Sequence, residues 1–317
     1  MKLPSTGQST MGSGSTSHLQ RGLLVLFWTT VVGGWIAVSV IAEQVPILGA
    51  GAGMLLPTIA LLVWNRYNER EDNVGLVAVT MAYARGYILA VLPLLANAAC
   101  AAAAELLIFI GDPRHDSVRS GAGYNWRIVL DVVFVSGVFP AVFSELHKWT
   151  ITTLAVRKRP LSSRTQVMLF AVAGSLGFSM AEALLMCLKA HFLPGVLYTL
   201  INGRSMIMTF RSVLRVPVHV ALGLRSGLMI YRRMEVGKRR IVTVPGIWVQ
   251  IAVHVAYRIL QTMACLNPNV VGSPRVVHQA LCSATVLVSS GLAVYTLKCL
   301  WQEKRPPSKS TMDFPMQ

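Results

Sequence analysis

The sequence predicts an all-α fold: a polytopic transmembrane bundle of about eight spans, with both termini cytoplasmic. Three observations carry that expectation. The chain of 317 residues is 54% hydrophobic and only 13% charged, whereas soluble domains carry about 25% charged residues. Its mean hydropathy is +0.55, and its apolar residues gather into runs of the roughly 20 that cross a bilayer. Its Lys and Arg residues alternate from loop to loop, as a chain that crosses a membrane repeatedly requires.

The apolar runs are residues 23–42, 45–64, 74–98, 128–156, 165–190, 205–231, 244–264 and 278–301. Residues 98–111 are apolar too, apart from Glu105, and either lengthen the third helix or dip back as a re-entrant piece. Between the runs, one side of the membrane collects Lys2, Arg21, Arg66, Arg70, Arg157, Lys158, Arg159 and Arg164. The same side takes Arg232, Arg233, Lys238, Arg239 and Arg240, and then Lys304, Arg305 and Lys309. The other side has only Arg114, Arg119, Arg127, Lys189, Arg204 and Arg275. That asymmetry puts the basic side in the cytoplasm. It also assigns the net charge of +16 to topology, with no nucleic-acid partner implied.

Residues 1–22 form a cytoplasmic N-terminus whose Ser, Thr and Gly content predicts disorder. They do not resemble a signal peptide, because the apolar run that follows is too long and lacks a small-residue cleavage site. Residues 23–301 make the transmembrane domain and 302–317 a short cytoplasmic tail. Cys100, Cys187, Cys265, Cys282 and Cys299 have no metal or redox spacing and read as small apolar side chains. No internal repeat is visible.

Charge inside the spans is the informative signal, because each such group costs at least ~2.5–3.5 kcal/mol at mid-bilayer. Glu145 and Lys148 lie in the fourth span, Glu182 in the fifth, Arg211, Arg215 and His219 in the sixth, and His254 and Arg258 in the seventh. On a rise of ~1.5 Å per residue, Glu145, His219 and His254 fall roughly 15–20 Å from their cytoplasmic ends, and Glu182 about 20–27 Å. One cluster near the midplane is therefore expected. Spacings of three or four residues put Glu145 with Lys148, Arg215 with His219, and His254 with Arg258 on common helix faces. Glu182 has no opposite charge one turn away in its own helix, so its partner must come from another.

Two carboxylates and two imidazoles suit zinc or a similar divalent ion. A carboxylate in an apolar site also suits general-base work on water. The bland readings are a helix–helix hydrogen bond for each His and a neutralising pair for Glu145 with Lys148. Proton relays and transport sites use similar residues. A transporter is the third functional reading, although no broken-helix pair recurs in two halves of the chain.

In order and spacing these segments resemble the PrsW-type intramembrane proteases, distant relatives of the CAAX prenyl endopeptidases. That family carries Glu-Glu-x-x-Lys-Trp in one span, and here the segment reads Ser144-Glu-Leu-His-Lys-Trp149. Its Ser-Leu-Gly-Phe-Ala-x-x-Glu-Asn corresponds to Ser175-Leu-Gly-Phe-Ser-Met-Ala-Glu-Ala183. An Arg followed by His and two Gly is matched by Arg211, His219, Gly223 and Gly227, and His-x-x-Tyr-Asp or -Asn by His254-Val-Ala-Tyr-Arg258. The loop at 61–74 is similar as well, so the resemblance covers roughly residues 50–300.

The resemblance implies an endopeptidase acting on membrane-anchored proteins within the bilayer, with a divalent metal such as zinc as the cofactor it would use. Glu145 would activate water, Glu182, His219 and His254 would bind the metal or the developing oxyanion, and Lys148 would orient the carboxylates. Three departures bear on catalysis. Ser144 replaces the first Glu of the pair, Ala183 replaces an Asn, and Arg258 replaces an acidic or amide residue. A guanidinium is always charged and disfavours a cation at His254. It would instead pair with Glu145 or Glu182 across the helices. Two readings follow: a protease in which Glu145 alone supplies the base, or an inert homologue that binds or regulates membrane proteins through the same groove.

Overall fold

The structure, a computed structural model, describes residues 13–41, 45–67, 76–108, 110, 126–157, 163–192, 204–235, 245–266 and 275–303. Every described element is helical. In chain order they are α1 Ser13–Ile41, α2 Val45–Tyr67, α3 Leu76–Leu89, α4 Val91–Ile108, α5 Trp126–Asp131, a π-helical segment Val132–Val138, α6 Phe139–Arg157, α7 Arg164–Phe192, α8 Arg204–Glu235, α9 Pro245–Cys265 and α10 Arg275–Glu303. The eight predicted apolar runs each fall on one helical rod. Five of these are long and apolar enough to cross a membrane: Leu76–Ile108, Trp126–Arg157, Arg164–Leu188, Arg211–Met234 and Val276–Thr296.

Two local expectations change. Of residues 98–111, those as far as Ile108 lengthen the third rod, and residues 109 and 111 lie outside the described residues. The rod is interrupted only at Ala90, where Pro93 lacks an N–H and its ring crowds the carbonyl of Leu89. Residues 13–22, expected to be disordered, are helical. Propagation adds one hydrogen bond per residue fixed, so a nucleated span extends into its polar flank. Residues 1–12 and 304–317 lie outside the described residues, as do the basic positions 158, 159 and 238–240.

The bundle is built around α7. Residues 167–180 of that helix are buried on every side, against α2, α3, α6 and α8. A helix apolar all round must be enclosed by other elements, and its small residues set how closely they approach. A Cβ at Gly86 would collide with the Gly174 backbone, one at Gly177 with the Tyr83 carbonyl, and one at Gly223 with the Ser175 hydroxyl. Close backbone approach at small residues is how helices associate where lipid is as apolar as leucine.

The distribution of polarity is inverted relative to a soluble protein. Large apolar side chains point outward, with Leu92 69%, Leu106 73%, Leu287 71% and Val276 74% exposed. Asp131, Glu145, Lys148, Glu182, Arg211, Arg215 and Arg258 are all buried. An apolar exterior with charge inside is compatible with an integral membrane protein.

Two prolines shape the polar centre. Pro140, in the first turn of α6, has no N–H to offer the Ser136 carbonyl one turn earlier. The chain before it takes π-helical form, with the Phe139 N–H reaching back five residues to Phe134 O. Pro217 lies inside α8, where it has no N–H to offer the Val213 carbonyl, and the helix continues through it. The nearby Leu214 carbonyl accepts from the Tyr257 hydroxyl at 2.9 Å and the Ser289 hydroxyl at 3.0 Å, which ties α8 to α9 and α10.

Candidate functional site

Helices α6, α7, α8 and α9 bring Glu145, Lys148, Glu182, His219 and His254 together in one buried network. Glu145, His219 and His254 have no exposed surface at all. Their convergence follows from the cost of charge in an apolar surrounding, since each group is stable there only beside another.

The network runs from α9 to α8 and back. His254 Nδ1 lies 2.7 Å from Glu145 Oε1. If Glu145 is ionised it can only accept, which assigns the proton to Nδ1 and the lone pair to Nε2. The same carboxylate oxygen accepts from Lys148 Nζ, one turn on in α6. Lys148 Nζ also lies 3.5 Å from His219 Nδ1, and His219 Nε2 lies 3.1 Å from Glu182 Oε2. The two imidazoles stand edge to face, with centroids 5.0 Å apart. Phe178 packs against His219 on one side and His147 on the other. His147 is a structural tie, with Nε2 donating to the Gly86 carbonyl at 3.2 Å across to α3.

Glu182 finds the cross-helix partners that its own helix lacks. Arg258 Nη1 donates to Glu182 Oε1 at 2.6 Å, and Arg215 Nη1 lies 3.5 Å from the same oxygen. Each guanidinium is held from behind as well. Arg258 Nε donates to the Ser136 carbonyl at 3.0 Å, the one released by Pro140. Arg215 Nε donates to Gln261 Oε1 at 2.7 Å, and Gln261 Nε2 donates to the Arg211 carbonyl at 3.0 Å. Arg211 reaches Thr262 Oγ1 at 3.0 Å. Of the two carboxylates open to Arg258 from its sequence position, it takes Glu182.

Ser144 stands where the resembled family has a Glu. Its hydroxyl donates to the Ala141 carbonyl at 3.0 Å and lies 3.1 Å from His254 Nδ1. A serine relay requires the hydroxyl and the acid on opposite ring nitrogens. Here both face Nδ1, so Ser144, His254 and Glu145 do not form one. Ala183, the other replacement on α7, is buried in the apolar core.

The donor set around Glu182 does not suit a divalent ion. Both of its oxygens face side-chain nitrogens, and two permanently charged guanidiniums stand beside it. Among the described residues, no three His, Cys, Asp or Glu side chains are grouped as a metal requires. Of the five converging residues, Glu145 Oε2, His219 Nε2 and His254 Nε2 are buried without a hydrogen-bond partner.

Several members of this centre were not singled out from sequence. Gln261 and Thr262 are ordinary polar residues, visible as participants only once α8 and α9 are packed. The Ser136 carbonyl carries no side-chain signal, although Pro140 marks its release. Comparison with protein-family models, with curated proteins and with solved structures returns no match for the chain.

Proposed function

We propose that this chain is a membrane protein of about eight spans with cytoplasmic termini, built on the plan of the PrsW-type intramembrane proteases, that binds and regulates membrane-anchored proteins without cleaving them. The observation that carries this reading is the Arg258 guanidinium seated on Glu182 at 2.6 Å. Hydrolysis needs a water held between a base and a group that stabilises the developing oxyanion. In this chain Arg258, Arg215 and His219 all face Glu182, so that carboxylate is committed to the protein's own cations. The buried cations Lys148, Arg211, Arg215 and Arg258 outnumber the carboxylates Glu145 and Glu182, and each carboxylate has a cation against it. The motif order of four consecutive spans supports the shared plan, and the substitution at Arg258 supports the loss of chemistry.

A second reading has one specific observation in its favour. Glu145 Oε2 and His254 Nε2 retain free acceptor capacity in the buried centre, and together they would serve as the base of a protease with an altered site. Purified protein reconstituted with tagged single-span membrane proteins separates the two. The pseudoprotease reading predicts photo-crosslinking to such a protein without cleavage, retained in Glu145→Gln. Cleavage by the wild type that disappears in Glu145→Gln and in His219→Ala would establish the protease instead.

A further inference from the structure

Two cysteines meet at one end of the helix pair α9 and α10. Cys282 Sγ donates to the Ala264 carbonyl at 3.3 Å, and Cys265 is the next residue and the last of α9. That carbonyl belongs to the final turn of α9, where the backbone has no onward partner within the helix. A thiol is a weak donor, so the contact places the sulfur without committing it. Both thiols are free and partly exposed.

A second contact fixes the register of the two helices independently. The Tyr257 hydroxyl lies 2.9 Å from the Ser289 hydroxyl. Ala264 comes seven residues after Tyr257, and Cys282 seven before Ser289. Antiparallel helices that touch at the first pair therefore meet again two turns on, at the second. Tyr257, Gln261 and Cys265 follow at four-residue intervals on one face of α9, and Gln261 Nε2 reaches the Tyr257 hydroxyl at 3.4 Å along that row. Cys265 continues a row that begins against α10. Its Cα is joined to the Ala264 carbonyl through one peptide bond, which puts Cys282 Sγ within about 6 Å of that Cα. Disulfides join residues whose Cα atoms stand about 4.4–6.8 Å apart, so a bridge asks for side-chain rotation and a small adjustment of the last turn of α9. Two other cysteines lie elsewhere: Cys187 is packed in the core around α7, and Cys299 is about 25 Å further along α10.

We infer that Cys265 and Cys282 are a disulfide-forming pair that clamps α9 to α10 on the extracytoplasmic side, oxidised by exchange with a small-molecule or protein disulfide. The inference rests on the eight-span topology, which turns this end of α9 away from the cytoplasm, to the side where disulfides form and persist. It does not depend on whether the buried centre is catalytic. The Cys265 thiolate attacks one sulfur of the incoming disulfide and releases its first thiol. The Cys282 thiolate then attacks the Cys265 sulfur and releases the second. Two protein thiols are oxidised, the incoming disulfide is reduced to two thiols, and both protons end on it. The clamp sits one turn beyond Thr262, which accepts from Arg211, and so ties down the helix that carries His254 and Arg258.

The test uses full-length protein in right-side-out membrane vesicles, first reduced and then given oxidised glutathione, which does not cross the bilayer, on the outside. The protein is denatured, and its open thiols are counted with a maleimide-linked polyethylene glycol and by intact mass. Of the five cysteines, wild type is expected to lose two from the count and to regain both with dithiothreitol. Its mass falls by two hydrogens, with no glutathione attached. Cys265→Ser and Cys282→Ser each abolish that paired loss, the remaining thiol carrying at most one glutathione, whereas Cys299→Ser retains it. Glutathione carried on both cysteines, five open thiols throughout, or the same paired loss in Cys265→Ser would each overturn the pair. Protection obtained only in inverted vesicles would instead contradict the eight-span topology and the side assigned to the clamp, with the pairing itself upheld.

Discussion

At the scale of single residues, the account turns on Arg258 and predicts a steep energetic hierarchy. Removing one partner of a buried ion pair costs about 3–5 kcal/mol, because the other charge is left uncompensated. A hydrogen bond between helices in a membrane is worth about 0.6 kcal/mol on average. Arg258→Ala should therefore lower the thermal midpoint in detergent far more than Tyr257→Phe, which removes the bond to the Leu214 carbonyl, the Ser289 contact and the long bond accepted from Gln261 Nε2. The double variant Arg258→Ala with Glu182→Ala should cost less than the sum of the two singles. Additive losses would mean that the pair is not coupled. The candidate residues themselves were legible from sequence, because charge in an apolar run has few explanations. Their partners were not. Whether Arg258 meets Glu145 or Glu182 depends on helix rotation, which spacing along one helix leaves open.

At the scale of elements, close approach and proline chemistry decide where the network sits. Gly177 meets the Tyr83 backbone, so Gly177→Ala pushes α3 and α7 apart and should destabilise by about 1–3 kcal/mol. Gly34, in α1, has nothing within 4 Å of the position a Cβ would take. Gly34→Ala should be neutral or stabilising by up to ~1 kcal/mol. A similar loss in both variants, read as thermal midpoints, would contradict the packing described for α7. Pro140→Ala supplies the N–H that the Ser136 carbonyl lacks, and that bond competes with Arg258. Arg258→Ala should then cost less in a Pro140→Ala background than alone, whereas an unchanged cost would remove the π-helical segment from the account. The rods were legible because apolar runs of spanning length are unambiguous. That α7 is central was not, because lipid and protein interior select the same side chains. The π-helical segment was invisible for a related reason: its cause is a missing backbone donor, which no apolar pattern records.

At the scale of the whole molecule, an apolar exterior and a charged interior make the lipid bilayer the expected solvent. Eight spans with cytoplasmic termini predict that tags at residues 1 and 317 are both inaccessible from the extracytoplasmic side of intact cells or right-side-out vesicles. A single-cysteine probe placed at 119, on a background cleared of native cysteines, should be labelled there. Labelling of only one terminus would change the parity of the count. The alternation of basic loops is the sequence feature that predicts this topology, since charge bias acts on short loops as the chain inserts. The central claim is that an arginine of the chain itself, and not a metal, partners Glu182. Its most direct test is the metal content of detergent-purified wild type beside His219→Ala. The account predicts that the wild type carries no stoichiometric metal and that His219→Ala does not differ from it. Near-stoichiometric metal in the wild type, lost in His219→Ala, would contradict the account and restore a hydrolytic centre.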